Sequence, residues 1–194
     1  MQPFLHGRLQ SLERLLARAS EVLAKYNRLD LDLAPALTGF LDDAIATQRA
    51  LQRGPAENEL LALKAQFVAA EHGVHPVTLE RATGHRRELV RGVALRVLQQ
   101  SAEQLRNDIA RDRQRLDEAS VQLRPIVLLA FRQGLITSRT RRPMSNARLE
   151  TLWRDLLREP DVALAARQLA MQLSLHDILL LLADLVDASQ QISA

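Results

Sequence analysis

The chain has 194 residues, of which 47% are hydrophobic and 3% aromatic, and it carries a formal net charge of +3. A chain of this length buries one good core, and its dominance by Leu and Ala predicts an all-α fold of about six to eight helices. It contains no cysteine, which excludes disulfide scaffolds, thiolate metal sites and cysteine nucleophiles. We expect a single domain, 1–194, in the reducing environment of the cytoplasm.

The first 80 residues predict three amphipathic helices. Apolar residues recur at steps of three and four over about 5–26, 35–53 and 56–72. The stretch 27–34, in which Leu alternates with Asp, predicts a connection, and 75–82 predicts a further short helical segment.

The longest periodic stretch, 86–133, predicts a helical spine for the fold. Gly134 ends it, and Pro125 predicts a kink because proline removes a backbone donor. Only Asp112 interrupts its heptad-like seam. The seam residues are Leu95, Leu98, Ala102, Leu105, Ile109, Leu116, Ala119, Leu123, Ile126 and Ala130.

Three helices are predicted beyond the spine, over about 146–158, 162–173 and 175–188. Ser145 or Asn146 is expected to cap the first and Asp161 the second. Ser174 and Asp177 have the spacing of a capping box at the third. A subdivision into a long-helix bundle (1–133), a basic loop (134–145) and a helical subdomain (146–188) is an alternative to one domain.

No motif predicts catalysis or a cofactor. The chain lacks GxSxG, GxxxxGK[ST] and GxGxxG sequences. Glu71, His72, His75 and His85 resemble a ligand set for a divalent ion, but Gly73 interrupts the helical turn that such a site requires. We therefore expect histidines that cap a helix end or face solvent, and predict no enzyme, no metal and no cofactor.

Positive charge is concentrated in the middle of the chain. Residues 81–148 carry a net charge of +9, whereas 1–80 carry −2 and 149–194 carry −4. Arginines on a Ser/Thr-rich loop before a helix start, or along an exposed helix, are suited to bind phosphates or acidic partner segments. The candidate residues are Arg139, Arg141, Arg142, Arg86, Arg87 and Arg91.

The last helix is unusually rich in leucine. The window 169–186 approaches the length of a membrane span, but His176, Asp177 and Asp184 interrupt it, so a buried helix is expected and no membrane contact. The apolar spacing of 166–182 resembles a helix-turn-helix, yet its second helix lacks the polar residues that read DNA bases. A helix apolar all round packs centrally or forms an interface. The candidate interface residues are Leu179, Leu180, Leu182, Leu185 and Val186.

Two functional hypotheses follow from these features. The first is a non-enzymatic helical scaffold or regulator that binds a partner protein or itself, as a homo-oligomer, through coiled-coil-like seams and the leucine-rich helix. The alternative is a nucleic-acid-binding regulator that contacts phosphates through the arginine-rich middle segment. Because aromatic residues are few, this alternative favours duplex over single strands.

Overall fold

A computed structural model describes residues 4–81, 86–136 and 144–192, the last four of them by backbone alone. This part of the chain contains seven helices and no strand, which confirms the predicted all-α bundle around one long helix. The helices are α1 (Leu5–Asn27), α2 (Leu33–Ala50), α3 (Gly54–Glu71), α4 (Arg86–Arg132), α5 (Asn146–Leu156), α6 (Ala163–Gln172) and α7 (Leu175–Ile192).

The chain divides into two compact units, and helices α1 and α4 contribute to both. The bundle unit is Leu9–Arg111, and the terminal unit joins Met1–Arg8 to Asp112–Ala194. The division lies within α4, whereas the sequence suggests a subdivision around 134–145.

In the bundle unit, α2 and α3 form a helical hairpin. Three residues separate them, and so short a connection makes neighbouring helices antiparallel. Gln52 has the positive φ of 56° that lets the chain reverse. Leu37, Phe40 and Phe67 are fully buried in the core of this unit.

The predicted seam of α4 is buried over most of its length. Asp112, its one polar member, is also completely buried and accepts a hydrogen bond of 3.1 Å from Arg8. Gly134 ends the helix with a left-handed φ of 76°, as expected for a glycine C-cap. The helix continues through Pro125, where the kink stays a prediction. The buried seam residues are Leu98, Ala102, Leu105, Ile109, Leu116, Ala119, Leu123, Ile126 and Ala130.

In the terminal unit, α7 packs against α5 and α6. The backbone N–H of Asp177 donates to the Ser174 hydroxyl at 3.1 Å, which confirms the capping box. Ser145 holds the N-cap position of α5 without a side-chain cap bond. The prediction for Asp161 was wrong, because Val162 holds the N-cap position of α6.

The predicted helical segment at 75–82 was wrong over its described residues. The backbone turns back on itself there, with an isolated antiparallel bridge between Val74 and Arg81. The cause is local, since the His75 ring nitrogen Nδ1 accepts a hydrogen bond of 3.2 Å from the Thr78 backbone N–H and closes a turn. So short a segment also lacks the length to offset the cost of helix nucleation.

Candidate functional site

A groove of about 530 Å³ in the bundle unit combines apolar and basic side chains. We call it the basic groove. Its apolar lining includes Phe67 of α3 and Leu33 of α2, both buried, together with Leu29 and Leu31 of the connection between α1 and α2. Leu31 is 97% exposed, so a large apolar side chain stands at the groove without any cover. Such exposure marks a surface where another molecule can bury apolar area.

The connection presents these leucines through its backbone conformation. Leu29 adopts a positive φ of 61°, which is costly for a residue other than glycine. Its N–H donates to the Tyr26 carbonyl at 3.2 Å, and the Asp30 N–H donates to the Lys25 carbonyl at 3.1 Å. These two bonds end α1 and direct the following chain toward α2, with Leu29 and Leu31 left at the surface.

Three arginines from the first turns of α4 line the same groove: Arg86, Arg87 and Arg91. Arg86 donates to the backbone carbonyl of Glu71. The guanidinium of Arg91 lies 5.0 Å from the centre of the Tyr26 ring, at the distance of a cation–π contact. These contacts orient two of the cations and leave nitrogen donors for an incoming anion, because a guanidinium has five N–H groups.

Among the described residues, Asp30 is the one acidic residue that lines the basic groove. The Asp32 backbone N–H, which donates to its carboxylate at 3.0 Å, is the main cause that lowers the pKa of Asp30 below its ordinary value of 3.8. Partial burial raises this pKa, while nearby Lys25 and Arg28 lower it further. Asp30 therefore stays ionised and already has a cation beside it, Lys25 at 3.8 Å, so the groove keeps an excess of positive charge.

The six predicted basic residues have different outcomes. Arg86, Arg87 and Arg91 come together at the basic groove, as described above. The other three, Arg139, Arg141 and Arg142, lie outside the described residues.

Most of the candidate interface residues of α7 are buried inside the terminal unit. Leu179, Leu182 and Val186 are buried in its core. Leu185 is half-buried, and Leu180 is 36% exposed. An interface on this helix would therefore use Leu180 and Leu185, and it stays a prediction.

Sequence reasoning missed two buried carboxylates. Asp108 of α4 has no sequence signal of burial, yet it is buried and accepts a hydrogen bond of 2.9 Å from Gln48 of α2. Asp177 was recognised as part of a capping box, yet its carboxylate also accepts hydrogen bonds from the first turn of α1. A partner so distant along the chain leaves no local signal in the sequence.

The described residues bear on three sequence features: the histidines near the end of α3, metal-ligand clusters and the apolar character of the helices. His72 is exposed and holds the C-cap position of α3, in line with the expected place at a helix end. His75 closes a turn instead, and His85 lies outside the described residues. Within 4–81, 86–136 and 144–192, no group of three or more His, Asp or Glu side chains could hold a metal ion. No helix in these segments has the length and apolar character needed to cross a membrane.

Comparison with known proteins gives no relative from which to assign a class: no protein family, no curated protein and no solved structure matches the chain. The site must therefore be interpreted from its own chemistry.

Proposed function

We propose that this protein is a non-enzymatic helical interaction protein that binds an acidic, amphipathic segment of a partner protein at the basic groove. The observation that carries the proposal is the joint lining of one groove by three arginines and by exposed leucines. An amphipathic helix bound in a groove uses apolar anchors on one face, and its remaining charges select the partner.

The two halves of the groove support different parts of this binding. Leu31 and Leu29 together offer apolar surface whose burial favours association by about 25 cal/mol per Å². Arg86, Arg87 and Arg91 favour carboxylates, with which arginine forms bidentate hydrogen bonds. A phosphate backbone would satisfy the arginines but would leave the leucines exposed, so the combination favours a protein partner.

A synthetic peptide tests the proposal. The probe is a labelled helical peptide with Leu on one face and Glu on the other, titrated with the full chain by fluorescence anisotropy. Leu31→Asp and Arg87→Glu should each weaken binding at least tenfold, which corresponds to about 1.4 kcal/mol. Both side chains are exposed, so neither change should unfold the bundle unit.

Matched controls separate the groove from general effects of charge and hydrophobicity. Leu164→Asp changes a similarly exposed leucine in the terminal unit, and Arg106→Glu reverses an exposed charge elsewhere on α4. Both should bind the peptide like the wild type. Equal losses in the test and control variants, or no binding by the wild type, would contradict the proposal.

The nucleic-acid alternative has its own observation in favour. Several arginines of α4 are exposed and spaced along one helix, as phosphate contacts require. They include Arg87, Arg106, Arg113, Arg115 and Arg124.

A labelled random duplex, titrated at several salt concentrations, discriminates the two candidates. A log–log slope of affinity against salt of about −3 or steeper would mean three or more neutralised phosphates. That slope, with no binding of the acidic peptide, would replace the protein-docking proposal by the nucleic-acid one. A flat response to duplex together with groove-dependent peptide binding supports docking of a protein.

A further inference from the structure

A second groove in the bundle unit, of about 730 Å³, lies between α3 and α4 and is lined mainly by polar side chains. We call it the polar groove. Leu63 and Ala56 give it a narrow apolar strip, and charged and amide side chains surround them. Its size lies within the range of small-molecule sites, and its lining differs from that of the basic groove.

Three contacts fix how the two helices run along this groove. Arg53 pairs with Asp108 at 2.9 Å, and the Gln104 amide donates to the Ala56 carbonyl at 3.0 Å. Gln66 accepts a hydrogen bond of 2.8 Å from Arg96. In these three pairs the residue numbers rise along α3 and fall along α4, so the two helices are antiparallel. The pairs therefore fix the order of the lining residues along the groove.

The first end of the polar groove is basic. Arg53 and Arg111 both approach the single carboxylate of Asp108, Arg111 at a longer distance of 3.7 Å. Asp108 is buried and also accepts from Gln48, so it is firmly held, whereas the Arg111 side chain is 70% exposed. Two guanidinium groups around one carboxylate leave a net positive charge, which suits a second carboxylate.

Farther along the groove, its lining becomes acidic. Glu59 lies six residues beyond Arg53, and Glu103 lies eight residues before Arg111. At 1.5 Å per residue along the helix axes, Glu59 stands about 9 Å from Arg53 and Glu103 about 12 Å from Arg111. No described arginine or lysine has an ion pair with either glutamate, so both carboxylates can accept a cation.

Amide side chains lie between the two charged regions. Gln104 and Asn107 line the groove from α4, at positions one turn apart on the same face. Amides both donate and accept hydrogen bonds, as peptide groups do. A fully extended chain of three residues spans about 10 to 11 Å, which lies within the separation of about 9 to 12 Å between the oppositely charged residues along the helix axes.

From this arrangement we propose that the polar groove binds a short peptide of about three residues by both of its termini. Arg111 and Arg53 hold the C-terminal carboxylate, and Glu59 and Glu103 hold the N-terminal ammonium. Gln104 and Asn107 pair with the peptide groups between them. This binding is independent of the function proposed for the basic groove, because none of the described residues that line the polar groove also lines the basic groove.

Trialanine is the probe that tests this site. N-acetyl-trialanine and trialanine amide are control peptides that each lack one terminal charge. Binding to the full chain is followed by two-dimensional NMR of the backbone amides. Trialanine should give saturable shifts confined to α3 and α4, and blocking either terminus should weaken binding about tenfold.

Two variants and one control assign the termini. Arg111→Gln should weaken the binding of trialanine but have little further effect on the binding of trialanine amide, which lacks the carboxylate. Glu103→Gln should weaken the binding of trialanine but have little further effect on the binding of N-acetyl-trialanine, which lacks the ammonium group. Arg106→Gln, an exposed position of α4 outside this groove, should change nothing. Equal binding of all three peptides, shifts spread over the surface, or no saturable binding of trialanine would each overturn the proposal.

Discussion

Replacement of Asp177 by Asn removes the charge from a carboxylate that is completely buried and joins α7 to the first turn of α1. Its oxygens accept from the Leu5 N–H at 2.9 Å, the His6 N–H at 3.0 Å, the His6 ring Nδ1 at 2.7 Å and the Ser174 hydroxyl at 2.6 Å. The first N–H groups of a helix have no partner within it, so this carboxylate acts as the cap of α1 from a distant part of the chain.

The expected loss of stability follows from these bonds. A hydrogen bond to a charged group contributes about 1.5 to 3 kcal/mol, and asparagine keeps only one acceptor oxygen. Its NH₂ group would face donors that the second carboxylate oxygen now satisfies. We therefore expect Asp177→Asn to lower the free energy of unfolding of the terminal unit by about 2 to 4 kcal/mol.

The pH dependence has a definite sign. Burial raises the pKa of Asp177, but the hydrogen bonds from Ser174, His6 and Leu5 together lower it below its ordinary value of 3.8. Its contribution to stability is therefore complete above pH 3.8 and is lost as the pH falls through the lower value of the folded state. The Asn variant should lack this component of the acid-induced loss.

Urea unfolding at neutral and acidic pH, with hydrogen exchange of the Leu5 and His6 amides, measures both effects. Asp184→Asn is the matched control, because Asp184 carries the same charge on the same helix and is exposed. If Asp177→Asn and Asp184→Asn have equal unfolding midpoints and equal amide protection, the capping role assigned to Asp177 is refuted.

Two further changes test the terminal unit. Asp112→Leu removes the carboxylate that pairs with the buried Arg8 and should destabilise the protein by about 3 to 5 kcal/mol in urea unfolding. Adding Arg8→Leu should recover most of this loss, and a double variant as unstable as the single one contradicts the prediction. Gly7→Ala places a methyl group against the Phe4 ring. The Phe4 ring must then leave its edge contact with the His176 ring, whose centroid lies 4.5 Å from its own. Stability should change little, because alanine favours the helix by about 1 kcal/mol, but the His176 ring protons should lose their ring-current shift in NMR spectra, and an unchanged shift would show that Phe4 had not moved.

The sequence alone determined the helices and the spine of this protein. Periodic apolar residues and the break at Gly134 are local signals, and they placed the long helices close to their observed bounds. The capping box at Ser174 and Asp177 was also legible, because both partners lie within one helical turn. Local patterns failed at 75–82, where the side chain of His75 favours a turn over a marginal helix.

Tertiary structure decided which polar residues are buried and which basic residues meet apolar ones. Asp108 and Asp112 differ little in sequence from the exposed Asp117, and only packing against Gln48 and Arg8 buries them. Likewise, the leucines of the connection between α1 and α2 lie near the arginines of α4 because helices distant along the chain come together there. Burial and proximity depend on all of the packed elements at once, so composition and periodicity cannot supply them.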